Sequence, residues 1–258
     1  MEMNDSKKKL RLPNVTIAAM TSVDIYETVQ AMKYSMRDIE FGDAVLITDK
    51  KPFYLPKDIR FSYTTKLDNI DKFNYKMVYE LGRHIKTDYV LIVHADGFVI
   101  HPENWSDEFL KYDYIGSPWP LPTNDYAYRD SNGEICRVGN SVSIRSKRLL
   151  EYPVKHHLEW RKVYDGFYNE DVFLCCLNKN EMEAHGLKWA PIETAVKFGR
   201  EHPLPENKGI EPFVFHKWWG ENKDYPKFYS PDKRLKHMIT ALFFWRRSDK
   251  WKREHNIT

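Results

Sequence analysis

The sequence predicts an α/β fold, with a mostly parallel central sheet flanked by helices and a less regular C-terminal half. Three observations carry that expectation. Short apolar runs alternate with segments of helical spacing from residue 15 to residue 93. One of those runs, VLIV at 90–93, is apolar on both faces, as a strand in the middle of a parallel sheet must be. The chain of 258 residues is also long enough to bury a large core.

In chain order, residues 15–23 (VTIAAMTSV) read as the first strand, and Asp24 follows as the N-cap of an amphipathic helix reaching about residue 37. Residues 44–48 form a second strand that ends at Asp49, and 59–64 a third. Phe73, Met77, Leu81 and Ile85 recur at helical spacing over 71–85, and 89–93 is the fourth strand. The order strand, helix, strand, strand, helix, strand implies right-handed crossovers and a helix-covered parallel sheet. Beyond it, SPWPLPTNDYAYRDSNGE at 117–134 holds three prolines and reads as a long loop, a kind of segment that often carries function. A strand at 138–145, a helix at 169–185 and a short strand at 213–216 complete the expectation. With no internal repeat, the boundaries are a tail over 1–12, one domain over 13–231 and a basic amphipathic helix over 232–258.

The net charge is +3, and residues 232–258 hold eight Lys/Arg against three Asp/Glu, which leaves about −2 for the remainder. The body therefore lacks the basic footprint of a nucleic-acid binder. Aromatic residues make up 15%, enough for a sugar-stacking cleft or simply for the core. Three cysteines, Cys136, Cys175 and Cys176, make neither a disulfide framework nor a zinc motif, and the adjacent pair is expected to pack as small hydrophobes. The start, MEMNDSKKKLRLPN, has no apolar segment behind it and is not a signal peptide. No apolar run approaches the ~20 residues of a membrane span. A cytoplasmic setting is expected. The apolar positions 235, 238, 239, 242 and 243, with basic flanks, suit a peripheral helix at an inner membrane face as well as a terminal helix packed on the domain.

Four clusters could carry chemistry. His94 and Asp96 end the fourth strand two residues apart and so share a face, at the sheet edge where open α/β proteins bind ligands. Imidazole plus carboxylate suits Mn²⁺ or Mg²⁺, although a turn-capping Asp beside a core His gives the same pattern. Asn169-Glu170-Asp171 opens a helix, where the macrodipole favours acids in any case, and where a carboxylate can also serve as a general base. His216 closes an apolar strand as a possible third metal ligand, with Lys217 beside it as a point charge for phosphate and Trp218 as a stacking surface, or both as ordinary surface and core. Gly139-Asn140 makes a tight turn that lets backbone approach a ligand.

The order of these clusters resembles GT-A glycosyltransferases, which are metal-dependent nucleotide-sugar enzymes. A closer resemblance is to an uncharacterised family of GT-A-like proteins from bacteria and some viruses, often assigned to surface-polysaccharide synthesis. The matching stretches are TDYVLIVHADGFVIHPENWSDEFLKYDYIGSPW, VGNSVSIRSKRLLE, NEDVFLC, EMEAHGLKWAPIETAVKFGRE and FVFHKWWG, within residues 87–220. By that resemblance Asp96 takes the last position of the metal motif and His94 the first, where aspartate is usual. Asp171 takes the base position with Glu170 beside it, and His216 the late histidine. The turn departs too, reading Gly139-Asn140-Ser141-Val142 where these relatives have Gly-Asn-Gly-Gly.

The resemblance implies a metal-dependent glycosyltransferase of the hexosyltransferase type, inverting, that takes a nucleotide sugar (UDP- or GDP- ahead of CMP-) to a glycan or lipid-linked acceptor. The base and phosphates would lie near Thr21, Ser22, Asp49, Ala95 and Lys217, and the sugar or acceptor near Asp113, Trp119, Gly139, Asn140 and Trp218. Mn²⁺ or Mg²⁺ on Asp96 and His216 would bridge the phosphates, and Asp171 would deprotonate the acceptor. Two other classes stay open: a metal-dependent nucleotidyltransferase or phosphohydrolase, and a carbohydrate-binding relative without turnover.

Overall fold

β1 (Leu10–Met20) is the strand around which the sheet is laid, and residues 15–20 are buried throughout. The computed structural model describes residues 9–161 and 169–235. After β1 come α1 (Ile25–Ser35), β2 (Ile39–Thr48), β3 (Arg60–Tyr63), α2 (Ile70–Tyr79) and β4 (Tyr89–Ile92), in the predicted order. Asp24 starts α1 in a left-handed conformation (φ 47°). Its cap is the carbonyl rather than the expected carboxylate, accepting from the N–H and the hydroxyl of Thr28 at 2.9 Å each. The helix expected over 71–85 stops at Tyr79 and continues as a 3₁₀ turn, Leu81–His84. In that turn Gly82 passes so near Leu150 that a Cβ would lie 3.2 Å from its backbone oxygen.

The second half adds β5 (Gly97–Val99), β6 (Tyr114–Pro118), β7 (Val138–Ser146), α3 (Lys147–Lys155), α4 (Glu170–Val172), α5 (Lys179–Ala184), α6 (Ile192–Phe198), β8 (Gly199–Arg200) and β9 (Val214–His216). The helix expected at 169–185 is broken by a π-helical turn, Phe173–Leu177, between α4 and α5. Asn178 closes the turn, its N–H and its Nδ2 both donating to the Phe173 carbonyl. Cys175 and Cys176 are fully buried in it, as expected of small hydrophobes.

The main sheet runs β3-β2-β1-β4-β7-β6, with β7 antiparallel to both neighbours and the other adjacent pairs parallel. The chain steps outward from β1 to β2 and β3 and then returns as β4 on the other side of β1. That reversal is the topological switch point, and the crevice beyond the carboxyl ends of β1 and β4 is the place such sheets offer a ligand. Alternate residues Ala18 and Met20, Val45 and Ile47, Val90 and Ile92 pack on one face with Met77, Leu81 and Ile85. A second cluster joins Tyr114, Trp119, Leu149 and Tyr152 to Val172 and Phe173 beneath α4. A small sheet, β5-β9-β8, stands beside the carboxyl edge.

Residues from Lys227 form a separate unit, of which 227–235 are described, with a helical turn over 231–235. The basic amphipathic helix expected over 232–258 lies from residue 236 onward outside the described residues, as do residues 1–8 of the expected tail. Among the described residues no helix is long and apolar enough to cross a membrane.

Candidate functional site

The site begins where β4 ends. Residues 94–97 turn tightly, with the His94 N–H donating to the Gly97 carbonyl at 2.7 Å, and β5 departs from that turn. His94 and Asp96 are thereby left at the carboxyl edge. β5 pairs with β9 in the register Gly97↔His216, so Asp96 meets Lys217, whose N–H donates to the Asp96 carbonyl at 2.8 Å. β8 pairs with β9 as Arg200↔Phe215, which brings Glu201 beside His216. Gly97 permits this approach, since a Cβ there would lie 2.5 Å from Val142 Cγ2 and 2.8 Å from His216 Cδ2.

Four charged or titratable side chains then meet. Lys217 Nζ lies 2.7 Å from Asp96 Oδ2, His216 Nε2 lies 3.7 Å from Asp96 Oδ1, and His216 Nδ1 lies 3.3 Å from Glu201 Oε1. Asn140 Nδ2 fixes the other oxygen of Glu201 at 2.5 Å. Burial works to raise the Asp96 carboxyl, but His216 and Lys217 outweigh it and hold Asp96 far below the usual carboxylate range. For His216, burial opposes the charged form while Asp96 and Glu201 favour it, and the balance raises its pKa.

His94 ties this group to α4. Burial, then the charge on His216, holds it down to about 4, so the ring is neutral at pH 7. Ser141 Oγ donates to Glu170 Oε1 at 2.6 Å and lies 3.0 Å from His94 Nε2. Its proton being given to the carboxylate, Ser141 must accept from His94, which places the imidazole proton on Nε2. Glu170 is also bound to Arg145 Nη2 at 3.1 Å, and both side chains are almost wholly buried. Glu170 is thus held in the protein interior, whereas Asp171 is half-buried. Burial first, and then the charge of Glu170, pushes the Asp171 carboxyl up to about 7, although its Oδ1 accepts from the Val172 N–H at 2.8 Å.

At the carboxyl ends of β1 and β2, Thr21 closes the turn after β1, with its hydroxyl donating to the Val23 carbonyl at 2.6 Å. Ser22 Oγ accepts from the Leu67 N–H at 2.9 Å, and a hydrogen bond from Ser22 lowers the Asp49 carboxyl. Thr21, Ser22 and Asp49 therefore do share the carboxyl edge of β1 and β2, and half-buried Ala95 lies in the turn between His94 and Asp96.

The expected acceptor residues divide differently. Asp113 is 4% exposed, and its oxygens take Arg148 Nε (2.6 Å), Ser146 Oγ (2.5 Å) and the Lys188 N–H (2.8 Å), so it anchors the end of β6 rather than facing a sugar. Trp119 is buried and stacked on Tyr128. Gly139 serves that packing, because a Cβ would lie 1.9 Å from Trp119 Cζ2. Gly139→Ala is expected to lower stability by about 1–3 kcal/mol through overpacking, and a denaturant midpoint unchanged from wild type would disprove it. Asn140 (φ 90°) is buried, with Nδ2 on Glu201 and Oδ1 accepting from the Val142 N–H. Trp218 donates from Nε1 to the Pro226 carbonyl and packs against Phe215.

Reading the sequence left out Glu201 and Arg145 as site residues and gave Ser141 no role beyond its place in the turn. Glu201 follows a strand of two residues, too short to show periodicity, and its link to His216 exists only through the pairing of β8 with β9.

The donors that converge on one point suit a divalent ion poorly. Asp96 and His216 are the two ligands available, the second oxygen of Asp96 already holds an ammonium, and Nε2 of His94 is turned to Ser141. Among the described residues no group of three or more His, Cys, Asp or Glu is placed to hold a metal ion. The expected metal cage is not built by this arrangement of side chains.

A family model described as Protein of unknown function (DUF5672) matches residues 57–216. No curated protein matches the sequence. Among solved structures, the galactosyltransferase LgtC in complex with donor and acceptor sugar analogs is similar at a TM-score of 0.47 and 12% identity, over 88% of this chain and 95% of that one. An active-site mutant of LgtC is similar at 0.48 and 11%, over 88% and 95%. The apo-form glycosyltransferase GlyE of Streptococcus pneumoniae TIGR4 is similar at 0.41 and 12%, over 86% of this chain and 57% of that one.

Proposed function

The chain belongs to the family described as Protein of unknown function (DUF5672), and from the chemistry gathered at its sheet edge we propose that it is a glycosyltransferase. Its donor would be a nucleoside diphosphate sugar, with UDP or GDP as the nucleotide, and its acceptor a hydroxyl of a glycan or lipid-linked glycan. The observation that carries this reading is Asp171. It is a carboxyl pushed up to about 7 at the start of α4, joined through Glu170, Ser141 and His94 to the edge where Asp96, His216 and Lys217 meet. A base of that strength suits deprotonation of a hydroxyl near neutral pH.

The chemistry is a single displacement. Asp171 takes the proton of the acceptor hydroxyl as its oxygen bonds to the anomeric carbon, and the bond from that carbon to the diphosphate oxygen breaks on the opposite face. Configuration inverts, and a nucleoside diphosphate departs toward His216 and Lys217. Cationic and N–H groups placed where charge develops favour such a leaving group.

The test is product identity. The protein is incubated with UDP-, GDP- and CMP-sugars and a panel of glycan and lipid-linked acceptors, and nucleotide and sugar products are separated. Release of nucleoside diphosphate with the sugar on an acceptor is expected. A nucleoside monophosphate released from a UDP- or GDP-sugar would mean attack at phosphorus, the reaction of a nucleotidyltransferase or phosphohydrolase, whereas from a CMP-sugar it is the ordinary product of sugar transfer. Binding without any product would leave the carbohydrate-binding reading.

A further inference from the structure

We infer that Lys217, rather than a protein-held divalent ion, neutralises the diphosphate of the donor, so that this chain binds its nucleotide without added metal. The inference rests on the glycosyltransferase reading and deepens it.

The first support is geometric. Lys217 Nζ is 2.7 Å from Asp96 Oδ2, at the carboxylate on which a metal would have to sit. An ammonium has three donors in all, so one on Asp96 leaves two for phosphate oxygens. The Lys217 side chain is 37% exposed, open enough to meet a ligand while held by its partner. A divalent ion on the same carboxylate would either displace the ammonium or lie against it, charge on like charge.

The second support is the backbone. Lys217 adopts φ 64°, the left-handed region that a long side chain disfavours. Two backbone contacts, one of them to a buried side chain, fix it there. Its N–H donates to the Asp96 carbonyl, its carbonyl accepts from Asn222 Nδ2 at 3.1 Å, and Asn222 is itself fully buried. Asn222 Nδ2 also donates to the Arg200 carbonyl at 3.0 Å, and its Oδ1 accepts from Arg200 Nε at 2.9 Å. A disfavoured conformation that its surroundings over-determine is the pattern of a side chain held in one direction for use. Here that direction returns the ammonium to the edge of the sheet.

The third support is the ligand count. With His94 turned to Ser141 and Asp96 engaged by Lys217, His216 is the remaining imidazole, and its Nδ1 faces Glu201. Glu201 is fixed in turn by Asn140. The arrangement holds His216 between Glu201 and Asp96 and does not complete a metal shell.

The experiment is calorimetric titration of the full chain with UDP and GDP, in EDTA and in Mn²⁺. Wild type is compared with Lys217→Asn, since asparagine tolerates the left-handed backbone while removing the charge. Wild type is expected to bind one of the two nucleotides with the same affinity in both buffers. Lys217→Asn is expected to bind at least about ten-fold more weakly in EDTA, the loss of one charge-assisted contact. Wild-type binding that vanishes in EDTA and returns with Mn²⁺ would overturn the proposal while leaving the glycosyltransferase reading intact. So would Lys217→Asn binding like wild type in EDTA. No binding to either nucleotide in either buffer would overturn the glycosyltransferase reading itself, and this inference with it. The comparison of wild type in the two buffers decides even where the variant folds poorly.

Discussion

Asp171→Asn is expected to slow sugar transfer by about 10²–10⁴-fold and to leave nucleotide affinity unchanged. The substitution keeps the size and the hydrogen bond from the Val172 N–H to the side-chain oxygen, and it removes only the capacity to take a proton. The charges grouped around Asp96 are untouched, so the donor end of the site should bind as before. Burial, with the Glu170 charge next, pushes the Asp171 carboxyl up to about 7, and the transfer rate is expected to rise with pH through that value and level off above it. Stability has the opposite sign. A carboxyl whose pKa is higher folded than unfolded contributes stability that is full below about 4 and lost as pH rises through about 7. Turnover numbers and calorimetric affinities measured on the same preparations separate the effects. An Asn variant that turns over like wild type would place the base elsewhere.

The first half of the fold was legible because residues 15–20, 44–47 and 90–93 are mostly apolar on both faces and lie between segments of helical spacing, a pattern that local sequence carries by itself. The same logic puts His94 and Asp96 at the ligand edge of the sheet, where the resemblance also implies Thr21, Ser22 and Asp49. What stayed hidden is what depends on pairing. β5, β8 and β9 have two or three residues each, too few for a period, yet their register sets Lys217 on Asp96 and Glu201 on His216. The resemblance implies that Asp113 and Trp119 contact a sugar. Whether an Asp faces a ligand or an arginine is settled by a residue far along the chain, here Arg148. Gly139 was legible as a close approach, but the approaching group is the ring of Trp119. In the pair at 170 and 171, sequence cannot tell which carboxylate turns inward. Arg145, 25 residues earlier and fully buried, decides it.

That burial makes Arg145→Met the largest expected loss of stability, about 3–5 kcal/mol, because it leaves Glu170 as an unpaired charge in the interior. For a chain of this size the melting temperature should fall by on the order of 10 °C. Arg145 Nη2 lies 3.1 Å from Glu170 Oε1, Nε donates to Ser143 Oγ at 3.0 Å, and the guanidinium sits over the Tyr114 ring at 5.3 Å. Its Nη1 has no hydrogen-bond partner among the described residues, so the group is already short of one bond, and the carboxylate is what makes its burial tolerable. Removing both charges in Arg145→Met/Glu170→Leu is therefore expected to restore much of the lost melting temperature, as a double-mutant cycle would show. Transfer activity should not return with it. Without Glu170 the Ser141 hydroxyl loses the acceptor for its proton, and His94 loses the partner that orients it beside Asp96 and His216. A double variant that regains both melting temperature and turnover would mean that the buried pair only holds the fold. One that regains melting temperature alone would mean that the pair also aligns the edge of the sheet. A single variant that melts like wild type would mean that Glu170 does not depend on the arginine for its place in the interior.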